Sequence, residues 1–210
     1  METSLMRLIG MLDSPFVRRV AVSMKFLDVP FTHESVSVFR HFDHFASINP
    51  VVKAPSFVTD DGVVLMDSTL IIDHVERLAD PARSLLPADV ADHARNQRLV
   101  GLALAACEKT VQIVYEHQLR PEEKRHEPWL ERVRGQLLAA YSLIEAETGN
   151  GESWLIGDRP MQADITAAVA WTFTQEMTPG EVPLGVFPAI ERLAARAESL
   201  PEFRAMPYDG

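Results

Sequence analysis

The sequence predicts an α/β domain at the N-terminus followed by an all-α domain. Two observations support this fold class. Up to residue 78 short apolar runs alternate with segments of helical periodicity, whereas beyond residue 88 the chain carries long helical segments rich in Ala, Leu and Val. Two prolines interrupt the helical periodicity between these parts, so we predict domains at 1–78 and 89–210 joined by a linker at 79–88.

The N-terminal domain is predicted to follow the order β-α-β-α-β-β-α. Short apolar or alternating runs predict four strands, at residues 6–11, 31–38, 56–59 and 63–66. Apolar residues at helical spacing predict three helices, at residues 15–27, 42–48 and 68–78. Ser14-Pro15 is a strong helix start, because a hydroxyl at the N-cap and proline at the first helical position both favour one. Asp60-Asp61-Gly62 between the last two runs predicts a hairpin turn.

The C-terminal domain is predicted to be helical throughout. Its helices are expected at residues 89–119, 129–147, 163–176, 188–198 and 201–206. A charged, proline-flanked stretch at 121–128 and the turn Gly149-Asn150-Gly151 separate the first three of them.

Composition and charge exclude several classes of function. A net charge of -10 argues against a nucleic-acid or anionic-membrane partner, because both require a basic face. The single cysteine, Cys107, cannot form an internal disulfide, and the histidines show no zinc-ligand spacing, so no metal is predicted. The N-terminus does not resemble a signal peptide, and no apolar run approaches the roughly 20 residues that span a bilayer. We therefore predict a cytoplasmic protein.

The segment from Asn49 to Ser68 carries the strongest functional signal. It begins Asn49-Pro50-Val51-Val52-Lys53-Ala54-Pro55, continues through the predicted hairpin and ends at Asp67-Ser68, which opens a helix. Together with Ser14-Pro15 upstream, this pattern resembles the glutathione-binding half of a bacterial, serine-type cytosolic glutathione S-transferase, and the resemblance covers nearly the whole chain. It implies a thioredoxin-like N-terminal domain, glutathione as co-substrate and a homodimer.

Ser14 is the residue that the resemblance places in catalysis. A thiol with a pKa near 8.5 is only a few per cent thiolate at neutral pH. A hydroxyl that donates to sulfur at a helix N-terminus favours the thiolate, because the hydrogen bond and the helix dipole both stabilise the anion. From the residues alone, Ser14 as a simple helix cap is the alternative.

The remaining implied contacts lie along the glutathione molecule. The resemblance implies a cis Ala54-Pro55 bond, whose exposed backbone pairs with the cysteinyl part, and it places Lys53 near the glycyl carboxylate. A solvated surface lysine without a ligand contact is the alternative for Lys53. It also implies that Ser68 and the free N–H groups of its helix receive the γ-glutamyl carboxylate, while Asp67 accepts from the ammonium group. An Asp/Ser pair that only caps the helix is the alternative.

Arg40 and His41 complete the set, since the segment before Asn49 often reaches the glycyl end in related enzymes. Three positions depart from the family pattern. Val52 stands where the family has glycine, so valine is strained if that position needs a positive φ. Asp67 replaces the usual glutamate and is shorter by one methylene. Met161 stands where family members usually carry the Ser or Thr of a capping box, and methionine cannot cap a helix. Asp164 is therefore expected to support this buried helix start through other partners, not to act in catalysis.

The resemblance implies that Ser14 activates glutathione for conjugation to a small hydrophobic electrophile or for hydroperoxide reduction. Residues of the predicted 89–119 helix are candidates for lining the electrophile site, although their helical spacing fits core or dimer contacts equally well: Cys107, Val111, Val114, Tyr115 and Leu119. Two other functions stay open. One is a regulatory protein that keeps the fold for assembly, like the stringent starvation relatives that contact RNA polymerase, and the other is a glutathione-binding carrier without turnover.

Overall fold

The structure is a computed structural model that describes residues 5–209. In chain order, its elements are β1 (Arg7–Ile9), α1 (Pro15–Leu27), β2 (Thr32–Glu34), α2 (Phe42–Ile48), β3 (Ser56–Val58), β4 (Val64–Met66), α3 (Ser68–Glu76), a 3-10 turn (Pro81–Arg83), α4 (Val90–Gln118), a second 3-10 turn (Glu122–Lys124), α5 (Glu127–Thr148), α6 (Gln162–Met177), α7 (Pro188–Glu198) and α8 (Pro201–Arg204). The predicted order β-α-β-α-β-β-α and the all-α part that follows it are confirmed.

The chain forms two compact units. The first contains the described residues up to Leu85 together with those from Pro201 onward, and the second is Leu86–Leu200. The domain limits predicted from the sequence, 1–78 and 89–210, stay a prediction. By its contacts, however, the short C-terminal segment with α8 belongs to the first unit.

The first unit is built on a mixed four-stranded sheet in the order β2-β1-β3-β4. β1 pairs with β2 in parallel and with β3 antiparallel, and β3 and β4 form the predicted antiparallel hairpin. The apolar positions of α1 are fully buried, at Val17, Val20, Ala21 and Met24. This face packs α1 against β1, α3 and α8. The sheet and α1 therefore hold the loops on which the candidate site residues lie.

The second strand is shorter than the sequence predicts. β2 ends at Glu34, and the alternating residues from Ser35 to Val38 lie in a turn instead of a strand. Val36 and Ser37 are both buried although they are neighbours, which a strand with alternating faces would not allow. The Ser37 hydroxyl accepts from the backbone N–H groups of residues 39 and 40, so a side-chain turn outcompetes strand pairing here.

The second unit is a helical assembly in which α4 packs against α5 and α6, and α6 packs against α7. Asp89 begins α4 by accepting from the N–H groups of Ala91 and Asp92 at 2.9 and 3.1 Å. The core contains Tyr141, whose ring meets Trp171 edge-on and whose hydroxyl donates to the Ala170 carbonyl at 2.9 Å. Across residues 5–209, no helix is both long and apolar enough to cross a lipid bilayer.

Candidate active site

Ser14 lies at the start of α1, directly after the loop that leaves β1. Its backbone is extended, with φ -73° and ψ 121°, and its carbonyl accepts from Arg18 N–H at 2.9 Å. The side chain is half-buried and makes no capping hydrogen bond to the helix. Because the hydroxyl is not engaged as a cap, it can donate to a ligand atom held at the helix N-terminus, where the helix dipole favours negative charge.

Arg40 and His41 occupy the turn before α2. An Arg40 Nη2 donates to Met11 Sδ at 3.3 Å, which places this exposed guanidinium beside the loop of residues 10–14, here called the Ser14 loop. His41 Nδ1 accepts from Ser37 N–H at 3.2 Å, so this imidazole is part of the local turn. Arg40 therefore contacts the Ser14 loop, whereas the contact of His41 lies within its own turn.

Asp13 adds a carboxylate next to Ser14. Burial raises the pKa of Asp13, and the nearby Asp209 carboxylate raises it further, while the Ser14 backbone N–H and Arg40 act in the opposite direction. Sequence reasoning did not single out Asp13 or the role of Arg40 in offsetting its charge.

Residues 49–55, here called the proline loop, are held by Asn49. Its buried side-chain amide donates to Ser56 Oγ at 2.8 Å, and its Oδ1 accepts from Val51 N–H at 3.0 Å. Ser56 Oγ in turn donates to the Lys53 carbonyl at 2.8 Å. The backbone of Asn49 is extended, as is typical of a residue before proline, and its anchoring role depends on the fold.

The proline loop presents the residues that the resemblance assigns to glutathione. The Ala54–Pro55 peptide bond is cis, as the resemblance implies. Pro55 is buried, Ala54 is half-buried and Lys53 is exposed. Within residues 5–209, the Lys53 ammonium forms no ion pair, so it is available to a carboxylate.

Val52 keeps the conformation that favours glycine. Its φ is 53°, in the left-handed region, so this β-branched residue has the strained conformation that the family's glycine would adopt without cost. Its side chain packs against the buried cluster of Ile9, Val36 and Phe45. The burial of this apolar side chain offsets part of the backbone strain.

Asp67 and Ser68 form the start of α3. Asp67 also has a positive φ, 68°, and its Oδ1 accepts from Thr69 N–H at 2.9 Å, which makes it the N-cap of the helix. The carboxylate is exposed and its second oxygen can accept from an ammonium group. Ser68 is only 3% exposed. Asp67 therefore caps α3 with one carboxylate oxygen, and its other oxygen is available to a ligand.

Arg19 was not singled out from the sequence, although it touches the same helix start. This side chain of α1 is 1% exposed, and its Nη1 donates to Ser68 Oγ at 2.9 Å and to Thr69 Oγ1 at 3.2 Å. The signal in the sequence was the pair Arg18-Arg19 inside an otherwise apolar helix, which is unusual because arginine is rarely fully buried.

Gly10 follows β1 and permits a close approach of three segments. Its φ is 136°, and a Cβ at this position would lie 2.6 Å from Val17 Cγ2 of α1 and 3.3 Å from Ala54 Cβ of the proline loop. Any side chain would push these segments apart. Gly10 was also missed, since a glycine after an apolar run signals only a strand end.

Together these contacts join the candidate residues within the first unit. Gly10 brings the Ser14 loop next to Ala54, Arg40 reaches the Ser14 loop, and Arg19 ties α1 to Ser68. Over the described range, no cluster of three or more His, Cys, Asp or Glu side chains could hold a metal ion.

The residues in and directly after α4 that are candidates for lining the electrophile site differ in exposure. Cys107 and Val114 are buried, whereas Tyr115 and Leu119 are exposed.

Comparisons with known proteins identify the family of both parts of the chain. A model of the glutathione S-transferase N-terminal domain matches residues 8–83, and one of the glutathione S-transferase C-terminal domain matches residues 127–208. The chain is 29% identical to a maleylacetoacetate isomerase of Pseudomonas aeruginosa over 195 residues, covering 89% of this chain and 87% of the relative. It is 27% identical to YibF, an uncharacterised GST-like protein of Escherichia coli K12, over 70% of this chain and 71% of the relative.

Solved structures of the same family superpose on nearly the whole chain. A glutathione S-transferase of Methylobacterium radiotolerans in complex with glutathione sulfonate has a TM-score of 0.89 at 27% identity, with 98% of this chain and 96% of the other covered. A glutathione transferase family member of Pseudomonas fluorescens Pf-5 with bound glutathione has a TM-score of 0.84 at 25% identity, with 98% and 100% covered. From both domain matches and these structures, the chain belongs to the glutathione S-transferase family.

Proposed function

We propose that this protein binds glutathione on its first unit and ionises the thiol through Ser14. The observation that carries the proposal is the Ser14 hydroxyl at the N-terminus of α1, which makes no capping hydrogen bond and is half-buried. Relatives of similar fold hold glutathione or its sulfonate, which supports the same ligand here. A hydroxyl and a helix N-terminus together lower a thiol pKa by about one unit or more.

The other contacts are proposed along the tripeptide. The backbone of Ala54 beside Pro55 pairs with the cysteinyl part, and Lys53 meets the glycyl carboxylate as a point charge. Arg40 and His41 extend toward the same glycyl end. Arg40 is the better supported of the two, because its guanidinium lies beside the Ser14 loop.

The γ-glutamyl end is proposed to bind at the start of α3. Asp67 accepts from the ammonium group with the oxygen that does not cap the helix. Ser68 and the unpaired N–H groups of the first turn receive the carboxylate.

The reaction begins when the thiol proton leaves to water and the thiolate is held by Ser14. The sulfur then forms a bond to an electrophilic carbon of a small hydrophobic substrate, whose leaving group or double bond takes the electron pair. Reduction of an organic hydroperoxide is the other proposed chemistry: the same thiolate attacks the O–O bond, an alcohol leaves and a glutathione sulfenic acid forms. A second glutathione thiol then reacts with the sulfenic acid to give glutathione disulfide and water.

Replacing Ser14 tests this proposal. Ser14→Ala should lower turnover at least about tenfold and leave the glutathione dissociation constant within a few fold, because the hydroxyl acts mainly on the anion. Ultraviolet titration of bound glutathione should show a thiol pKa about one unit or more higher in the variant. Ser14→Thr, which keeps a hydroxyl, is the control and should retain part of the activity. Equal turnover in Ser14→Ala would reject the assignment.

A second candidate reaction is the isomerisation of a cis-alkenoyl substrate such as maleylacetoacetate. It is favoured by the relative that carries this activity in its name and covers 89% of this chain. The chemistry uses the same thiolate, which adds to the double bond, allows rotation and then leaves. The motif Asp13-Ser14-Pro15-Phe16 departs from the Ser-Ser-Cys type of that branch. Turnover of maleylacetoacetate compared with a panel of electrophiles and hydroperoxides separates these reactions.

A carrier or a regulatory protein would behave differently. A carrier binds glutathione and leaves its thiol pKa unchanged, so calorimetry with ultraviolet detection of thiolate identifies it. A regulatory protein would show no binding at millimolar glutathione. Either result would overturn the catalytic proposal.

We further propose a homodimer in the cytoplasm, as the family resemblance implies. Several apolar side chains around β4 and α3 are exposed and would be covered by a partner: Val63, Val64, Met66 and Leu70. An exposed apolar surface of this kind is typical of an interaction site.

A further inference from the structure

The contact between Arg19 and the start of α3 suggests a role beyond packing. Arg19 is 1% exposed, and its Nη1 donates to the hydroxyl oxygens of both Ser68 and Thr69, at 2.9 and 3.2 Å. Arg19 reaches these residues from α1, the helix whose N-terminus carries Ser14. One buried cation therefore contacts the two hydroxyls of the first turn of α3.

The chemistry of the guanidinium decides which way these hydroxyls point. Arginine has only donors and stays charged at every relevant pH, so both hydroxyl oxygens must act as acceptors toward it. A hydroxyl that accepts in this way still has one proton to donate to another group. The Thr69 N–H already donates to Asp67 and is not available to a ligand. At the start of α3 a ligand can therefore accept from the hydroxyls of Ser68 and Thr69 and from the other N–H groups of the first turn.

We propose that Arg19 is a positioning residue for the α-carboxylate of the γ-glutamyl group, and that Thr69 is a further contact of that carboxylate. Arg19 orients the Ser68 and Thr69 hydroxyls as donors and places a positive charge behind them, where the helix dipole has the same sign. Ser68 is nearly buried whereas Thr69 is exposed, so Thr69 is open to a ligand from solvent. The inference rests on the proposed binding of glutathione.

Two ligands separate this role from a structural one. The first is glutathione, and the second is butyryl-cysteinyl-glycine, which lacks both the α-carboxylate and the ammonium group of the γ-glutamyl end. Arg19→Met should weaken glutathione binding about tenfold or more, because the Ser68 and Thr69 hydroxyls lose the group that orients them toward the carboxylate and the positive charge behind them is removed. It should leave the dissociation constant of the second ligand within about threefold. In steady-state kinetics KM for glutathione should rise while kcat falls little, since Ser14 still acts on the sulfur.

The carboxylate and the ammonium are then distinguished by amidation. Glutathione with its γ-glutamyl α-carboxylate converted to an amide keeps the ammonium and loses the anion. The Arg19→Met effect should largely disappear with this ligand. An effect that persists at full size would assign Arg19 to the ammonium end or to general packing and would overturn the inference.

Arg18 supplies a matched control. It is the neighbouring arginine of α1, it is also 1% exposed, and its Nε donates to the Met206 carbonyl at 3.0 Å while the guanidinium lies 5.7 Å from the Phe203 ring. Arg18→Met should therefore lower stability and leave unchanged the ratio of the affinity for glutathione to the affinity for the analogues that lack the α-carboxylate. An equal change of that ratio in both variants would show a general effect of losing a buried arginine.

Milder variants keep the test decisive if Arg19→Met does not fold. Arg19→Lys keeps the charge with a different donor geometry and should fall between wild type and methionine in glutathione affinity. Thr69→Val removes one hydroxyl at an exposed position and should weaken glutathione by a few fold without affecting the α-amide. Unchanged glutathione affinity in both variants would overturn the inference.

The outcomes also separate this inference from the proposed function. If the wild-type protein does not bind glutathione, the proposed function fails and the inference fails with it. If the wild-type protein binds glutathione and Arg19→Met binds every ligand as the wild type does, only the inference fails.

Discussion

Positive backbone φ values at two non-glycine residues mark the candidate site. Val52 and Asp67 have φ values of 53° and 68°, and both lie in segments proposed to contact glutathione. A third such residue, Asp28, follows α1 as its left-handed C-cap, a conformation that Asp adopts more readily than Val. Strain in a β-branched residue persists only where the surrounding structure enforces it. At Val52 the packing against the Ile9 cluster provides this enforcement.

At Val52 the glycine variant should be at least as stable as the alanine variant, which reverses the usual order of these two residues. Val52→Ala loses apolar contacts and keeps most of the left-handed strain, so the free energy of unfolding should fall by about 1 kcal/mol. Val52→Gly loses slightly more contact but relieves strain of about 1–2 kcal/mol, so it should be at least as stable as the alanine variant. Urea denaturation of the three proteins measures this order. A glycine variant clearly less stable than the alanine variant would show that the conformation is not strained.

Asp67 is expected to contribute both to glutathione affinity and, as the cap of α3, to the stability of the protein. Asp67→Ala removes the proposed ammonium contact and should weaken glutathione about tenfold, while loss of the cap costs about 1 kcal/mol of stability. Asp89→Ala removes a comparable cap from α4 and is the control. It should lose less stability than Asp67→Ala, because Asp89 has a φ of -70° and alanine there adds no positive-φ strain, and it should keep the wild-type affinity. Calorimetry that finds an unchanged dissociation constant for Asp67→Ala would reject the ligand role.

At the scale of elements, the start of α6 depends on a buried carboxylate. Asp164 is fully buried, and it accepts from the N–H groups of Leu155 and Met161 at 2.8 and 3.0 Å. Burial raises the pKa of Asp164 to about 6, although both backbone N–H groups favour the ionised form. This is the structural role that the sequence analysis expected for Asp164.

The raised pKa of Asp164 predicts a pH dependence of stability. Between about pH 4 and pH 6 the folded state binds this proton more tightly than the unfolded chain does, so the contribution of Asp164 to the free energy of unfolding falls as pH rises through that window. Relative to Asp164→Asn, which does not titrate, the wild type should lose about 2–3 kcal/mol from pH 4 to pH 7. Urea denaturation of both proteins at several pH values checks this. A constant difference across the range would contradict it.

Elements were predicted well where the signals are local. The start of α1 at Pro15 and the hairpin around Asp60-Asp61-Gly62 follow from residues within a few positions of each other. β2 was predicted too long, because the alternation from Ser35 to Val38 arises in a turn whose buried residues are set by packing. Hydrophobic periodicity cannot distinguish a strand from such a turn, because it does not report which backbone groups pair with a neighbouring strand.

At the scale of the whole molecule, the end of the chain completes the first unit. Phe203 of α8 is fully buried, its ring centroid lies 6.2 Å from that of Phe26, and the Arg18 guanidinium lies over it. Met206 supplies a carbonyl to the same arginine. The first unit is therefore built from two segments that are far apart in the sequence.

Loss of the Phe203 ring should destabilise the protein. Phe203→Ala should lower the free energy of unfolding by about 3–5 kcal/mol, because a large buried side chain leaves a cavity. Arg204→Ala, at an exposed position of the same short helix, is the control and should change it by less than about 0.5 kcal/mol. Urea denaturation compares the two. Equal stability of both variants would show that the C-terminal segment contributes little.

The sequence by itself determined the fold class, the order of the elements and the segments that carry the candidate site. Hydrophobic periodicity, prolines and capping residues act over a few positions, so these features can be inferred without the fold. Only the tertiary structure decided that the Ser14 hydroxyl is not a cap, that Gly10 is needed for close packing, and that Arg19 contacts Ser68, 49 residues away in the chain. These outcomes depend on which distant side chains are buried together, and that is set by packing of whole helices and strands.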